Sequence, residues 1–539
     1  MASLARTSLG GAGVQKVLRG DLRIDALRDL PAALHGDIPT SAQPIAGRPP
    51  RVGHGTLPLP QAPWSLTSET LREAYGRGEV TPRQITERIL AAARGLAART
   101  STMGPFLEYA DDDALRMADI AGERIRRGEA LGPLDGIPYA VKEQTAVQGR
   151  RRRAGTTFMS DARSPKDATC IQRLHQAGAI VVGMTPMTEL GMSPTGVSSK
   201  RVMPHNPHGE NRIAGGSSTG SGVAVATGVV PFAMGGDGGG SIRIPAALNG
   251  VFGMKPTWGR ISREGDAFGG TVGHLGPLAT STLDLARVLD TVSGGDPLDR
   301  ETLGAPPGED RMFERALGRG VRGLVIGVAE SEWKDSHPDV ARAGQAMIAA
   351  LEKEGAIIRS IVVPGLQYAP AVGYITIGTE ARSAFSEEYA AHAGEMGPDL
   401  AISFAALEAF SALEYMNAQR LRSGIRAAMA RAFQDVDLFA LPTTAETAAE
   451  ITEDERASGI LDARLIDALC RFCFLGNITG LPAISMPAGK DGHGMPIGFQ
   501  LVGDAWDEGT VLAAAAHLER IGAAEVMRPH ASVDVLMGH

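Results

Sequence analysis

The chain has 539 residues, 68 of them glycine, and a net charge of −8. With 43% hydrophobic and 21% charged residues it is neither disordered nor collagen-like, and it is long enough to bury a large core. The acidic balance excludes an overall basic field for nucleic acid, three cysteines argue against a disulfide framework, and no run of 18 apolar residues suggests a membrane span.

Residues 1–60 read as an N-terminal extension or linker. A short amphipathic helix is expected around Val14–Leu30, followed by turn-rich sequence punctuated by Pro31, Pro39, Pro44, Pro49, Pro50, Pro58 and Pro60. The basic residues Arg6, Lys16 and Arg19 precede no contiguous apolar segment, so a secretory signal is not expected and a cytoplasmic location is. Regular structure begins near Ser65. Thr81-Pro82 with Gln84 is a capped helix start, and Ile85, Ile89 and Leu90 supply its apolar stripe. Gly136–Val141 is a largely apolar, strand-like run. A helix over Ala168–Gln176 should stop at Gly178 and lead into a strand, Ala179–Val182. Residues 300–460 look mainly helical (Asp339–Glu354 and Leu407–Phe433), with strand candidates at Leu324–Val328 and Asp437–Leu441. The alternation predicts an α/β fold, a central mixed β-sheet surrounded by α-helices.

The glycines cluster: residues 209–259 hold 14 of them in 51 positions. Gly216-Ser217-Ser218-Thr219-Gly220 matches the G-x-S-x-G elbow, which would make Ser218 a nucleophile, but the elbow requires a hydrophobic strand before it and His205–Arg212 is polar and turn-like. Ser241 has the better context. It follows apolar Val229–Met234 and a glycine run, and precedes a plausible helix, Ile242–Leu248. Backbone N–H groups converging at such a turn stabilise an anion, including the oxyanion of acyl transfer; a phosphate loop or a purely structural turn is the alternative. No histidine lies near either serine in a recognisable motif. Lys142, at the end of Gly136–Val141, is the other available base, provided burial lowers its pKa from about 10.4 towards 7–8.

At this point the chain resembles the amidase signature family of serine amidases, over roughly residues 65–525. The resemblance is carried by Gly215–Ser221, Asp237–Ala246 with Gly250–Thr257, Gly136–Lys142, Leu438–Thr443, Asn477–Ala483 and Gly498–Gly503, in the family's order. It implies a catalytic domain over 61–535 with a substrate-specific helical region near 300–460. It further implies a Ser–cis-Ser–Lys triad: Ser241 as nucleophile, Ser217 bridging from a cis peptide, Lys142 as base. The oxyanion hole would be the N–H groups of Gly238, Gly239, Gly240 and Ser241. Ser218, Asp237 and Arg243 would support the loop, Arg243 having the alternative of meeting a substrate carboxylate, and Gly191 and Met192 would line the substrate pocket. No cofactor and no metal are implied.

The implied reaction is hydrolysis of a linear carboxamide, anilide or carbamate to acid and amine. The alternative is the glutamine-hydrolysing component of a tRNA-dependent amidotransferase. The partner is a small-molecule amide, with no nucleic acid and no membrane, and a homodimer is compatible. Gly238 stands where threonine is frequent, Glu143 where aspartate is, Thr219 in place of a glycine and Met184 in place of a lysine. These departures leave the catalytic groups intact and the acyl group and amine open. Cys470-x-x-Cys473 reads as structural, the Asn477 sequon as idle, and Arg150–Arg153 as a solvated loop or a site for an acidic substrate or a partner subunit.

Overall fold

Short apolar runs separated by capped helices build one sheet. The computed structural model describes residues 13, 16–17, 19–27, 34, 36–37, 41–49, 55–59 and 66–538 apart from 101 and 409. Thr81 caps α1 (Pro82–Arg99) in a reciprocal box with Gln84, and Ile85, Ile89 and Leu90 are buried beneath it. The strand run before Lys142 forms β2 (Pro138–Lys142), next to the two-residue edge strand β1 (Glu108–Tyr109) through β3. α2 (Thr169–Gln176) is followed by Gly178 in the left-handed region (φ +84°), as the stop signal requires. β3 (Ile180–Thr185) continues three residues beyond the expected Ala179–Val182. Gly183 does not break it, because Phe106 packs directly over the position of the missing side chain.

α3 (Thr219–Ala226) is buried throughout and precedes β4 (Phe232–Asp237), which starts three residues later than the apolar run suggests. α4 (Arg243–Asn249) ends at Gly250, again left-handed, and feeds β5 (Phe252–Lys255) and β6 (His274–Ala279). The region 300–460 contributes β7 (Val325–Val328), α5 (Pro338–Lys353), β8 (Ile357–Ser360), α6 (Ala369–Ala384), α7 (Pro398–Leu407), α8 (Ala412–Asp435) and β9 (Leu438–Pro442). The single helix expected over Leu407–Phe433 is therefore two: α7 ends at Leu407 and α8 starts afresh behind a Ser411–Glu414 capping box. α9 (Phe474–Thr479), β10 (Ala483–Lys490), β11 (Pro496–Gly503) and α10 (Glu508–Arg520) complete the domain.

The eleven strands lie in the order β1-β3-β2-β4-β6-β5-β10-β11-β9-β7-β8. β2 is parallel to β3 and β4, and β7 to β8 and β9, while the other neighbours are antiparallel, so the sheet is mixed as expected. The parallel pairing of β2 with β4 aligns Tyr139 with Phe232 and Val141 with Met234, which brings Lys142 and Asp237 to the same carboxyl edge of the sheet. Open α/β sheets bind ligands outside that edge.

Part of the N-terminal segment is packed on the helical region. Ile24, only 2% exposed, sits with Ala371 and Ile375 of α6 and Ala418 of α8, and Arg19 pairs with Glu414 at 2.7 Å. The helix expected over Val14–Leu30 falls partly on residues 14, 15, 18 and 28–30, which lie outside the described residues; Ile24–Leu27 form a 3₁₀ turn. No helix among the described residues is long and apolar enough to cross a membrane.

Candidate active site

Lys142 is carried to the site by β2, whose five residues are all buried. Its Nζ donates to Ser217 Oγ at 2.7 Å and to the Gly236 carbonyl at 3.3 Å. Burial pushes its pKa down to about 7, against the opposing charges of Asp266, Asp237 and Glu143. The ammonium and free amine are thus both accessible near neutral pH, which is what proton transfer in two directions requires.

Ser217 follows a cis peptide bond, Gly216–Ser217. Gly191 stands in front of it in the left-handed region (φ +69°), where a Cβ would lie 3.4 Å from Ser217 Oγ and 3.3 Å from the Phe268 ring. Its glycine identity keeps room beside that hydroxyl. Ser218, by contrast, is fully buried: its Oγ donates to the Gly236 carbonyl (3.2 Å) and accepts from the Gly236 N–H (3.3 Å). It ties the loop to the end of β4 rather than facing the cavity. Ser241 is half-buried and lines the cavity together with Lys142 and Ser217.

Asp237 and Arg243 hold the Ser241 loop. Burial alone would raise the Asp237 pKa, but the Arg243 charge and the hydrogen bonds from Arg243 and Asn477 outweigh it and keep the carboxylate below its usual range. Arg243 Nε and Nη2 donate to its two oxygens (3.0 and 2.9 Å). The other guanidinium bonds go to Asn477 Oδ1 (2.7 Å), Gln500 Oε1 (2.7 Å) and the Cys473 carbonyl (2.9 Å). All five N–H donors are used and the side chain is fully buried, so no donor remains for a substrate carboxylate. Breaking a pair buried this deeply strands the surviving charge. Asp237→Asn is therefore expected to destabilise the protein by about 3–5 kcal/mol, read as a lower urea midpoint. A midpoint within error of the parent would show that the pair does not hold the loop.

Asp237 also selects among the glycine N–H groups. Gly240 N–H donates to Asp237 Oδ1 at 2.8 Å, and Ile242 N–H to Oδ2 at 3.1 Å. The N–H groups of Gly238, Gly239 and Ser241 have no acceptor among the described residues. Gly240 N–H is thus spent on holding the turn, and the N–H groups beside it left for another acceptor are these three. Where threonine is frequent in the family, a Cβ at Gly238 would meet Ile377 Cδ1 at 2.8 Å, so the isoleucine takes the space a side chain there would need.

Ser241 stands where two cavities meet. One, of about 600 Å³, contains Lys142 and Ser217 and is bordered by Gln144, Asp266, His274 and Glu380. The other, of about 950 Å³, is lined mostly by apolar groups, among them Tyr374, Ile377, Phe410 and Phe474. Gly191, Met192 and Ile377 border both. The sequence motifs place Gly191, Met192 and the serine–lysine groups, but they do not single out Asn477 as a ligand of Asp237, nor Gln500, Asp266, Glu380 and Ile377. Asn477 lies in one of those motifs, and its buried, helix-flanked context is the available signal; the others come from distant segments with no local mark.

The remaining sequence features are structural. Cys470 and Cys473 are buried free thiols, Cys473 pushed up to about 12 by burial. Arg150 pairs with Asp113 (2.5 Å) and Glu108 (3.4 Å), Arg151 and Arg153 with Asp161, and Arg152 donates to the Gly265 carbonyl (3.0 Å). His205 and His208 are buried loop residues bonded to backbone carbonyls.

A mixed α/β sheet presenting a buried lysine, two serines and a glycine nest defines a serine amidohydrolase. The chain belongs to the amidase family, whose model, Amidase, matches residues 85–512. It is 33% identical over 469 residues to a fatty acid amide hydrolase of Arabidopsis thaliana, covering 86% of this chain and 77% of the relative. It is likewise 33% identical over 494 residues to a component of the glutamyl-tRNA(Gln) amidotransferase of Chloroflexus aurantiacus, covering 86% of this chain and 98% of that one. The native peptide amidase of Stenotrophomonas maltophilia superposes with a TM-score of 0.72 at 26% identity, over 87% of this chain and 99% of the amidase. The protein is an amidase that hydrolyses the C–N bond of amides.

Proposed function

We propose that the protein cleaves a linear carboxamide through an acyl-enzyme on Ser241, with Lys142 as base and Ser217 as proton shuttle. The observation that carries this reading is the 2.7 Å contact between Lys142 Nζ and Ser217 Oγ, inside a cavity that Ser241 also lines. With Lys142 neutral, Ser217 O–H donates to the amine lone pair as it accepts the Ser241 hydroxyl proton. Ser241 Oγ bonds to the carbonyl carbon, and the carbonyl π pair moves to oxygen, towards the Gly238, Gly239 and Ser241 N–H groups. The proton held by Lys142 returns through Ser217 to the amide nitrogen as the C–N bond breaks. Water then adds to the acyl-enzyme by the same relay, releasing acid and restoring the Ser241 hydroxyl. Every group in this cycle comes from one chain. The free thiols and the −8 charge support a cytosolic protein whose partner is a small amide rather than nucleic acid.

The similarity to the amidotransferase component supports a second reading, hydrolysis of glutamine. The mostly apolar walls beside Ser241 favour the first, because a glutamine acyl group carries a charged α-amino acid that apolar walls leave unpaired. The two readings separate on the purified chain given aliphatic and aryl amides and glutamine. The first expects equimolar acid and amine from the simple amides without any second protein. Glutaminase activity alone, with a partner that stays bound through purification, would overturn it.

A further inference from the structure

We infer that residues 19–27 of the N-terminal segment are a specificity wall, and that Leu22 and Ile24 contact an extended apolar acyl group held in the cavity beside Ser241. The inference rests on the reading of Ser241 as nucleophile.

Direction comes from the two cavities. The group that protonates the leaving nitrogen must lie on the nitrogen's side of the scissile bond. Ser217 and Lys142 border only the cavity of about 600 Å³, so the amine leaves through that one. Ser241 borders both cavities, so with the amine side in the smaller one the acyl side falls to the larger, of about 950 Å³, which Gly239 also borders. Its surface is apolar enough to favour methylenes over polar groups.

Leu22 and Ile24 lie more than 200 residues in sequence from Ser241, yet both line this cavity together with Tyr374 and Ile377 of α6 and Phe410 of the segment between α7 and α8. Their placement is not incidental contact. Ile24 is buried against Ala371, Ile375 and Ala418. Arg19 is clasped by Glu414 (2.7 Å) and Asp25 (2.9 Å) and lies over the Phe410 ring, 5.6 Å from its centroid. Arg23 reaches Asp335 (2.9 Å) and Asp467 (3.4 Å) on the other flank. Ion pairs on both sides thus hold a short turn whose two apolar side chains close the acyl end of the site, and the length of acyl chain accommodated is set by how far they protrude.

The test compares p-nitroanilides of acetate and octanoate on the full chain. Leu22→Trp fills the cavity and is expected to lower the octanoyl-to-acetyl ratio of kcat/KM at least tenfold, mainly through the octanoyl KM. Arg19→Ala removes the clasp without replacing a residue that borders the cavity and is expected to raise the octanoyl KM at least threefold; it carries the test if the tryptophan variant does not fold. A ratio within twofold of the parent in the folded variants overturns the wall. Failure of the underlying nucleophile reading shows differently, as octanoyl turnover that persists in Ser241→Ala.

Discussion

Ser241→Ala is expected to remove turnover by a factor on the order of 10⁴–10⁶, whereas Ser218→Ala loses no more than about tenfold. Ser241 borders both cavities, beside the Gly238, Gly239 and Ser241 N–H groups that have no acceptor among the described residues. Deleting it leaves the nest and the lysine in place but no atom to accept the acyl group, and water attacking directly has neither its proximity nor its orientation. Ser218 is buried, with its hydroxyl bonded to both backbone groups of Gly236. Its loss costs loop rigidity, so a fall of about tenfold is the most that this role supports. The kcat of the two variants, measured on the best amide, checks the contrast; equal losses would contradict it.

Lys142→Ala carries the second large expected effect, a loss of roughly 10²–10⁴ in kcat/KM, the contribution of a positioned general base. The parent enzyme's sign follows from the buried amine. Below its pKa of about 7 the lysine is ammonium and takes no proton, so kcat/KM rises with pH and levels off above it. The alanine variant should lose that limb of the profile as well as the rate. Lys142→Arg should not rescue either, because a guanidinium remains protonated throughout the range and cannot act as a base. A parent profile flat between about pH 5 and 9, or an arginine variant with parental rate, would remove Lys142 from the proton relay.

The parts of the molecule legible in the sequence are those written by local chemistry. The Thr81–Gln84 box, the Gly178 stop and the apolar run before Lys142 each state an element and an end, and the structure has them within a few residues. The glycine-dense stretch locates the Ser217 and Ser241 turns for the same reason: only small residues let backbone N–H groups converge. The expected Leu407–Phe433 helix is wrong because its apolar spacing continues through the break, and the Ser411–Glu414 box that restarts it is the weaker signal. Asn477, an idle sequon by its motif, proves to be a buried ligand of Asp237, since a polar residue in an apolar helix needs a partner that only the tertiary fold identifies. Ile377, Glu380, Leu22 and Ile24 border the site from segments far away in the chain, through sheet pairing and helix packing that carry no local signature.

The central claim is that Ser241 is the residue acylated during turnover. A fluorophosphonate probe, which labels an activated serine covalently, tests it most directly when the adduct is mapped by tandem mass spectrometry on the parent, Ser241→Ala and Ser218→Ala proteins. The account predicts one adduct, on Ser241, undiminished in Ser218→Ala and absent from Ser241→Ala. Full labelling of Ser241→Ala with none in Ser218→Ala would contradict it and transfer the nucleophile to the elbow serine.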